Sequence, residues 1–224
     1  HELLSYEAVD NGSSVTVKQS VKVSGKQAEN ISGYGDTKTS ITPKKQPLND
    51  TNTHFINNLE WTIYPDGTVV CQSVLLPRGN PLELLRLGYE LQLPANMDNV
   101  TYYGRGPEEN YADRKSGMPL GVYKTTARDS FFPYGRPQDC GNHEDTRWVA
   151  VTDDKGQGLL FGSVGAPFAF SALPYTTTDL ILANHPVELP KTTDKTVLVL
   201  SSATRGLGGA SCGPGPMSRD IIKA

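Results

Sequence analysis

Short stretches in which apolar and polar residues alternate recur along this chain and limit it to a fold built from β-strands. The clearest example is Leu59, Trp61 and Ile63, which are separated by polar residues. Residues 65–68 (Pro-Asp-Gly-Thr) follow, where Pro presets φ for a turn and Gly supplies a positive φ. Residues 69–76 then continue as a partner strand. Because a period of two places alternate side chains on one face, this segment predicts a β-hairpin.

The same alternation predicts strands elsewhere in the chain. Val15, Val17, Val21 and Val23 fall on one face of such a run. Asn80-Pro81 could begin a helix, but apolar residues alternate over residues 85–93. A strand is therefore predicted for 85–93. Further strands are predicted at 120–127, 146–153, 158–164, 167–172, Thr178 to Ala183 and Thr196 to Ser202, with a hairpin turn at 153–156. Short strands with turn signals and scarcely any helical period predict an all-β fold, a large antiparallel two-sheet β-sandwich.

Length and charge restrict the class of protein further. The 224 residues suffice for a single domain over 1–224 that buries on the order of 70% of its unfolded surface. Residues 30–54 are polar without an apolar period and predict a long surface connection inside it. The formal net charge of -3 and the absence of an apolar run of ~20 residues lead us to expect neither a nucleic-acid nor a membrane partner. With no signal-like opening segment, we expect a soluble protein, cytoplasmic or periplasmic.

Two motifs combine glycine with charged and amide side chains, and a third is rich in glycine and proline. The first, residues 103–114, reads Tyr-Gly-Arg-Gly-Pro-Glu-Glu-Asn-Tyr-Ala-Asp-Arg. The second, residues 137–148, reads Pro-Gln-Asp-Cys-Gly-Asn-His-Glu-Asp-Thr-Arg-Trp, and the third, residues 206–216, reads Gly-Leu-Gly-Gly-Ala-Ser-Cys-Gly-Pro-Gly-Pro. In the first motif we expect the chain to leave a strand at Tyr103 and turn tightly. A phosphate-binding loop is disfavoured because no third glycine or Lys-Ser/Thr follows and Pro107 lacks an amide donor.

The charges of the first motif alternate in sign over a short irregular segment. This predicts an internal network of ion pairs and hydrogen bonds in preference to a catalytic acid pair. We expect Arg105 or Arg114 to pair with an acid of the same segment or of residues 139–147. The residues assigned to this structural network are Arg105, Glu109, Asn110, Tyr111, Asp113, Arg114, Asn142 and Arg147.

In this order and spacing the three motifs resemble the C-terminal domain of long-chain β-galactosidases of glycoside hydrolase family 2, which in some members is a separate small chain. The resemblance runs from about residue 1 to 220, with His143 standing where related sequences more often carry arginine. The resemblance implies a β-sandwich similar to the fold of galactose mutarotase. It also implies a non-catalytic role in an enzyme that hydrolyses terminal β-D-galactosides. That role would be carbohydrate binding at the active-site rim and assembly.

The same resemblance implies partners and cofactors. The partner would be the catalytic barrel domain or large chain, the substrate of the full enzyme would be a galactoside, and the full enzyme would be oligomeric. No cofactor is expected in this chain, because its three cysteines are widely spaced and no metal-ligand spacing is present. Mg and Na are implied by resemblance only for the parent enzyme.

Catalytic carboxylates are not expected in this chain. Retaining glycosidases need two carboxyl groups about 5–5.5 Å apart, whereas neighbours in an extended strand point to opposite faces. This argument applies to the adjacent pairs Glu108-Glu109, Glu144-Asp145 and Asp153-Asp154. In the β-galactosidases that the chain resembles, both catalytic glutamates lie in a separate (β/α)8 barrel, and no alternating βα pattern occurs here.

Ser211 and Cys212 of the third motif are the candidate substrate-binding residues. In the best-known family members the corresponding loop carries a Trp that stacks on the sugar leaving group. The resemblance therefore implies that Ser211 and Cys212 line the aglycone rim without a stacking platform, with weaker aglycone binding. The structural alternative is a small buried thiol between glycine turns.

A free-standing carbohydrate-binding or mutarotase-like (aldose 1-epimerase) module is the alternative function. Mutarotases open a sugar ring by acid/base transfer with a His and a Glu, and His185 lies close to Glu188 in the sequence. A binding module, however, is expected to expose several aromatics on one sheet face. Only two Trp are present, both inside alternating patterns, so the β-galactosidase domain is favoured.

Overall fold

The computed structural model describes residues 1–24, 53–80, 83–208 and 214–223. By its internal contacts the chain divides into two compact units, residues 1–82 and residues 83–223. Most of the connection predicted at 30–54 lies outside the described residues, and a strand already begins at His54.

The first unit contains a four-stranded antiparallel sheet. Its strands, in sheet order, are β1 (Glu2–Asp10), β2 (Val15–Val23), β3 (His54–Ile63) and β4 (Val69–Arg78). The predicted hairpin is confirmed, since Ile63 lies opposite Val69 and the backbone N–H of Thr68 donates to the Asp66 carboxylate at 2.8 Å. The sequence did not predict β1, where adjacent Leu3 and Leu4 interrupt the alternation and the pairing register shifts.

The second unit is a sandwich of two four-stranded antiparallel sheets. Its strands are β5 (Glu83–Leu84), β6 (Arg86–Pro94), β7 (Asn99–Arg105), β8 (Leu120–Thr126), β9 (His143–Thr146), β10 (Trp148–Thr152), β11 (Gly158–Gly162), β12 (Phe168–Leu173), β13 (Lys195–Thr204) and β14 (Ile222–Lys223). One sheet has the order β11-β10-β7-β8 and the other β6-β13-β12-β9, while β14 pairs with β5.

The two sheets pack face to face through a shared buried core, to which both contribute side chains. Alternate residues of β7 and β10 point into it, and residues of β6, β12 and β13 meet them from the other sheet. The core residues are Leu93, Val100, Tyr102, Ala127, Val149, Val151, Phe170, Ala172 and Leu198. Burial of such side chains stabilises the fold by about 25 cal/mol per Å² of apolar surface. The predicted all-β antiparallel sandwich is confirmed.

One predicted strand is wrong. Residues 178–183 do not form a strand, because helix α1 occupies Thr177–Leu182. Thr176 begins it with a capping box: the Asp179 N–H donates to Thr176 Oγ1 at 3.0 Å, and the Thr176 N–H donates to the Asp179 carboxylate at 2.9 Å. Short 3-10 turns occupy Pro186–Glu188 and Ser218–Asp220. None of the helices in the described part of the chain has the length and hydropathy of a membrane span.

The first and second motifs meet at one end of the sandwich. The strand before the first motif continues to Arg105, two residues beyond the predicted exit at Tyr103. The strand predicted at 146–153 corresponds to β10, and β9 precedes it in the other sheet, so the chain changes sheet at Arg147. The Arg147 N–H donates to the carbonyl of Tyr103 at 2.8 Å, which joins the second motif to the end of β7.

Candidate functional site

Two fully buried asparagines join the first and second motifs. The N–H of Asn110 donates to the carbonyl of Asn142 at 2.7 Å, and Asn142 Nδ2 donates back to the carbonyl of Asn110 at 2.8 Å. Asn110 Nδ2 donates to the carbonyls of Arg105 and Glu108 at 3.1 and 3.0 Å. Its Oδ1 accepts from the Glu144 N–H at 2.8 Å. Since buried backbone groups need partners, Asn110 satisfies groups that the loop would otherwise leave unpaired.

Arg105 and Lys115 hold the carboxylate of Asp145. Arg105 Nε lies 2.5 Å from Asp145 Oδ2 and Lys115 Nζ lies 2.8 Å from Asp145 Oδ1. Arg105 Nη1 also donates to the carbonyls of Lys115 and Met118 at 3.2 and 2.8 Å. Burial raises the pKa of Asp145, but hydrogen bonds and charge from Lys115 and Arg105 outweigh it, so the pKa falls below its usual value. Asp145 is therefore an ionised counter-ion within this network.

Glu144 shares Lys115 with Asp145, which corrects the expectation that these adjacent carboxylates point to opposite faces. Lys115 Nζ lies 3.9 Å from Glu144 Oε2 as well. Asp145 has φ +53°, outside the extended region, and this conformation breaks the alternation on which the expectation rested. Glu144 Oε1 accepts from Asn142 Nδ2 at 3.0 Å and from Thr204 Oγ1 at 2.5 Å.

Glu109 binds the second motif and Arg114 together. Its Oε2 accepts from the N–H of Gly141 at 2.8 Å, and its Oε1 accepts from Arg114 Nη2 at 2.9 Å and from the hydroxyl of Tyr134. The Arg114 guanidinium also lies over the ring of Tyr111, 5.5 Å from its centroid. Gly141 has φ +66°, and an added Cβ would lie 2.6 Å from the carbonyl oxygen of Ser130, so this contact requires glycine.

His143 is a buried neutral ring. It packs against Tyr102 and Phe170, with ring centroids 4.5 and 5.2 Å away, and its Nδ1 lies 3.1 Å from the carbonyl of Arg105. Burial lowers the pKa of His143 to about 4. Nδ1 also lies 3.0 Å from the Tyr102 hydroxyl, which in turn lies 3.4 Å from the carbonyl of Pro107, so the neutral ring has polar partners inside the core.

Asp113 joins the first motif to the third. Tyr111 and Arg114 exchange backbone hydrogen bonds of 3.2 and 2.8 Å, which places Asp113 in the tight turn between them. Its carboxylate accepts from the N–H groups of Leu207 and Gly208 at 3.0 and 2.7 Å. Arg147, also assigned to the network from the sequence, donates to the carbonyl of Asp145 and lies over the Tyr103 ring.

The structure describes both ends of the third motif but not its centre. Ser211 and Cys212, the predicted rim residues, lie outside the described residues, as do all of 209–213. The described ends meet: Gly208 has φ +60°, and a Cβ built on it would lie 2.6 Å from the backbone N of Pro216 and 2.7 Å from the backbone C of Gly215.

Comparison with known proteins settles the family. The family model described as the β-galactosidase small chain matches residues 5–224. The chain belongs to the β-galactosidase small-chain family. The β-galactosidase of Priestia megaterium is 38% identical over 150 residues, 66% of this chain and 14% of that relative. The β-galactosidase BgaC of Bifidobacterium adolescentis is 48% identical over 124 residues, 54% of this chain and 12% of that relative. The β-galactosidase of Staphylococcus xylosus is 28% identical over 198 residues, 82% of this chain and 20% of that relative.

The family match confirms the resemblance of the three motifs to the β-galactosidase domain. The chain spans a fifth or less of the length of each of these relatives.

The His185 and Glu188 pair has a local structural role. His185 Nδ1 lies 3.0 Å from Glu188 Oε1, and Glu188 Oε2 accepts from the N–H of Asn184 at 2.9 Å. The His185 side chain is 70% exposed and that of Glu188 44%, so the pair faces solvent at a 3-10 turn. Among residues 1–24, 53–80, 83–208 and 214–223, no group of three or more His, Cys, Asp or Glu could hold a metal ion, and Cys71 and Cys140 are free thiols.

Sequence reasoning missed four contributors to the network. Lys115, Tyr134, Gly141 and Thr204 each donate to one of its carboxylates. Lys115 directly follows the first motif and Gly141 lies inside the second, so their positions in the sequence could have indicated that they belong to the network. Tyr134 and Thr204 lie in segments whose approach to the motifs depends on tertiary packing.

Proposed function

We propose that this chain is the non-catalytic small subunit, or C-terminal domain, of a β-galactosidase that hydrolyses terminal β-D-galactosides. The observation that carries the proposal is the family match over residues 5–224. The named relatives are β-galactosidases in which the matched segment accounts for 12–20% of the length. The catalytic carboxylates would therefore lie in the much larger remainder of the enzyme, which is the proposed partner.

The state of the acids in the motifs supports a non-catalytic role. A glycosidase nucleophile and its acid partner must both be free to face the sugar. Glu109 instead accepts from Arg114, Tyr134 and Gly141, while Asp145 is bound by Arg105 and Lys115. These contacts use the carboxylates to hold loops together, which suits a domain that supports an active site built elsewhere.

The proposed contribution to the active site is a loop at the aglycone rim. Ser211 and Cys212 would line that rim and contact the leaving group or an acceptor sugar. The proposal is supported by the ordered base of the third motif, where Gly208 packs against Gly215 and Pro216 and Asp113 holds the preceding amides. The carboxylate network would keep this base rigid while the sandwich contributes to assembly of an oligomeric enzyme.

The direct test is hydrolysis of a nitrophenyl β-galactoside by the purified chain alone. We expect no turnover above a buffer blank. Glu108→Gln and Glu109→Gln are the variants to compare, with Asp153→Asn, in the β10–β11 turn, as the matched control. Turnover that co-purifies with the chain and disappears in either glutamate variant but not in the control would contradict a non-catalytic role.

A further inference from the structure

The four-stranded sheet of the first unit has one apolar face. Residues directly opposite one another on neighbouring strands share a face, so the pairing register assigns each side chain to one side of the sheet. Val17, Trp61 and Cys71 lie opposite one another across β2, β3 and β4. The face that they share, here called the apolar face, also carries Leu3, Tyr6, Ala8, Val15, Val21, Val23, Phe55, Leu59, Ile63, Val69, Leu75 and Pro77, together with the polar Asp10, Gln19, Asn57 and Ser73.

The opposite face of the same sheet is largely polar. Lys18 Nζ lies 3.4 Å from Glu60 Oε2, and Ser20 Oγ donates to Asn58 Oδ1 at 2.8 Å. These residues occupy the alternate positions of β2 and β3. An antiparallel sheet with one apolar and one polar face packs the apolar one on a core and leaves the other in water.

The apolar face has no core of its own. Among residues 1–24 and 53–80 no apolar side chain is buried, and the buried apolar residues that the structure describes all belong to the second unit. Leu3, Tyr6 and Val69 are 60%, 61% and 52% exposed. A sheet has to bury its apolar face against another element, and a contiguous exposed apolar patch marks an interaction surface.

The chain itself offers little to cover this face. In the sequence, residues 25–52 contain Ile31, Ile41 and Leu48 as their only large aliphatic residues, among many polar ones. The second unit uses the inner faces of its two sheets for its own core. The remainder of the β-galactosidase is far larger, because the matched segments are 14% and 12% of the Priestia megaterium and Bifidobacterium adolescentis relatives.

We propose that the apolar face is the surface on which the remainder of the β-galactosidase docks. This inference rests on the proposed function and names the part of the chain that meets the partner. The partner presents an apolar sheet or helix face there, because a charged side chain over the middle of the apolar face would be buried without a counter-ion. Trp61 lies between Val17 and Cys71 in the middle of this surface and is the expected anchor of the contact.

Cys71 provides a direct probe of the apolar face without any substitution. It is a free, exposed thiol opposite Trp61, whereas Cys140 is buried in the second unit and serves as the unreactive reference. The chain is treated with iodoacetamide alone and after mixing with the remainder of the enzyme, and peptide masses give the alkylation rate at each cysteine. Docking should slow alkylation of Cys71 by about tenfold or more, since the middle of an interface excludes solvent.

Two valines of β4 form a matched pair of test positions. Val69 lies on the apolar face and is 52% exposed, whereas Val74, opposite Asn58, lies on the polar face and is 56% exposed. Because both positions are open in the chain, neither Val69→Lys nor Val74→Lys should change urea unfolding much. In complementation, Val69→Lys should raise the chain concentration that gives half-maximal activity by about tenfold or more, and Val74→Lys should stay within about twofold of the wild type.

Each other outcome identifies a different occupant or none. Association with an unchanged Cys71 rate, or equal effects of the two lysine variants, would overturn the docking surface while the proposed function stands. Slow alkylation of Cys71 in the dilute chain alone would show that the chain covers the face itself, and a rate that falls as the chain is concentrated would indicate a second copy. Either result contradicts the proposal. If the unsubstituted chain did not associate with the remainder of the enzyme at all, the proposed function would fail as well.

Discussion

Asn110 and Asn142 exchange two hydrogen bonds across a sequence distance of 32 residues, from the Asn110 N–H to the Asn142 carbonyl and from Asn142 Nδ2 to the Asn110 carbonyl. Both side chains are fully buried at the end of the sandwich. An amide side chain suits position 110 because its Nδ2 donates to the carbonyls of Arg105 and Glu108 while its Oδ1 accepts from the Glu144 N–H, which neither a carboxylate nor an apolar residue does at once. This pair fixes the loop of the first motif against β9.

Asn110→Asp should be among the most destabilising isosteric changes in the chain. It replaces Nδ2, which donates to the carbonyls of Arg105 and Glu108, with a carboxylate oxygen that faces both of them. Leaving buried polar groups unpaired costs about 1–3 kcal/mol each, so we expect a loss of about 3 kcal/mol or more in urea unfolding. Asn58→Asp, at an exposed position of β3, is the control and should cost under about 1 kcal/mol. Equal unfolding midpoints for the two variants would contradict the network.

The two arginines of the first motif should differ in their contribution to stability. Arg105 makes an ion pair with Asp145 and two carbonyl hydrogen bonds at a largely covered position, so Arg105→Ala should cost about 2 kcal/mol. The Arg114 side chain is 57% exposed, so Arg114→Ala should cost under about 1 kcal/mol. Arg105→Lys keeps the charge but lacks the guanidinium geometry and should fall between them. Thermal unfolding decides the order, and wild-type melting temperatures for both alanine variants would show that the network does not stabilise the fold.

His143 should make the stability of the chain depend on pH in the mildly acidic range. Its pKa is about 4 in the folded chain, against about 6.5 when unfolded, so the unfolded state binds the proton more tightly. Stability from the neutral ring is therefore fully present above about pH 6.5 and is lost as the pH falls towards 4, by about 3 kcal/mol in total.

The variant His143→Gln cannot titrate and should show a flatter dependence of unfolding free energy on pH between about 4 and 6.5. His185→Gln, which removes an exposed imidazole, serves as the control and should follow the wild type. If His143→Gln instead loses stability with acid as steeply as the wild type, the neutral ring is not the cause.

Cys212→Trp tests the proposed rim. A stacked indole is worth on the order of 1 kcal/mol beyond its buried area, so in the assembled enzyme the variant should bind glucose-like acceptors about five- to tenfold more tightly. Cys212→Ser should change acceptor binding little, because it keeps the size of the side chain. The measurement is the glucose concentration that half-saturates galactosyl transfer. A normally folded Cys212→Trp enzyme with unchanged acceptor affinity would show that the third motif does not reach the sugar.

Local sequence signals predicted the strands well because alternation and turn chemistry act over a few residues. The hairpin of β3 and β4 depends on Pro65, Asp66 and Gly67, all inside one turn. The same reasoning failed at α1, where a strand was predicted for Thr178 to Ala183. The sequence does contain a pattern that indicates a helix there: Thr176 and Asp179 have the spacing of an N-terminal capping box.

The partners within the network were harder to predict because they depend on the packing of distant segments. The sequence grouped Arg105 with acids of residues 139–147, and the structure pairs it with Asp145. Asp113 was assigned to the network without a named partner, and it binds backbone amides of Leu207 and Gly208, which carry no charge that a sequence pattern would reveal. The positive φ of Asp145 was equally hidden, and it brings Glu144 and Asp145 to the same lysine.

The most direct measurement of the central claim is complementation. The chain and the remainder of the β-galactosidase, supplied as separate polypeptides, are assayed alone and together with a nitrophenyl β-galactoside. We predict no turnover by the chain alone and activity of the mixture that rises with added chain to a plateau. The structural variant Asn110→Asp should require more chain to reach that plateau. Hydrolysis by the chain alone, or activity of the remainder that is unchanged by adding the chain, would contradict the assignment of a non-catalytic small subunit.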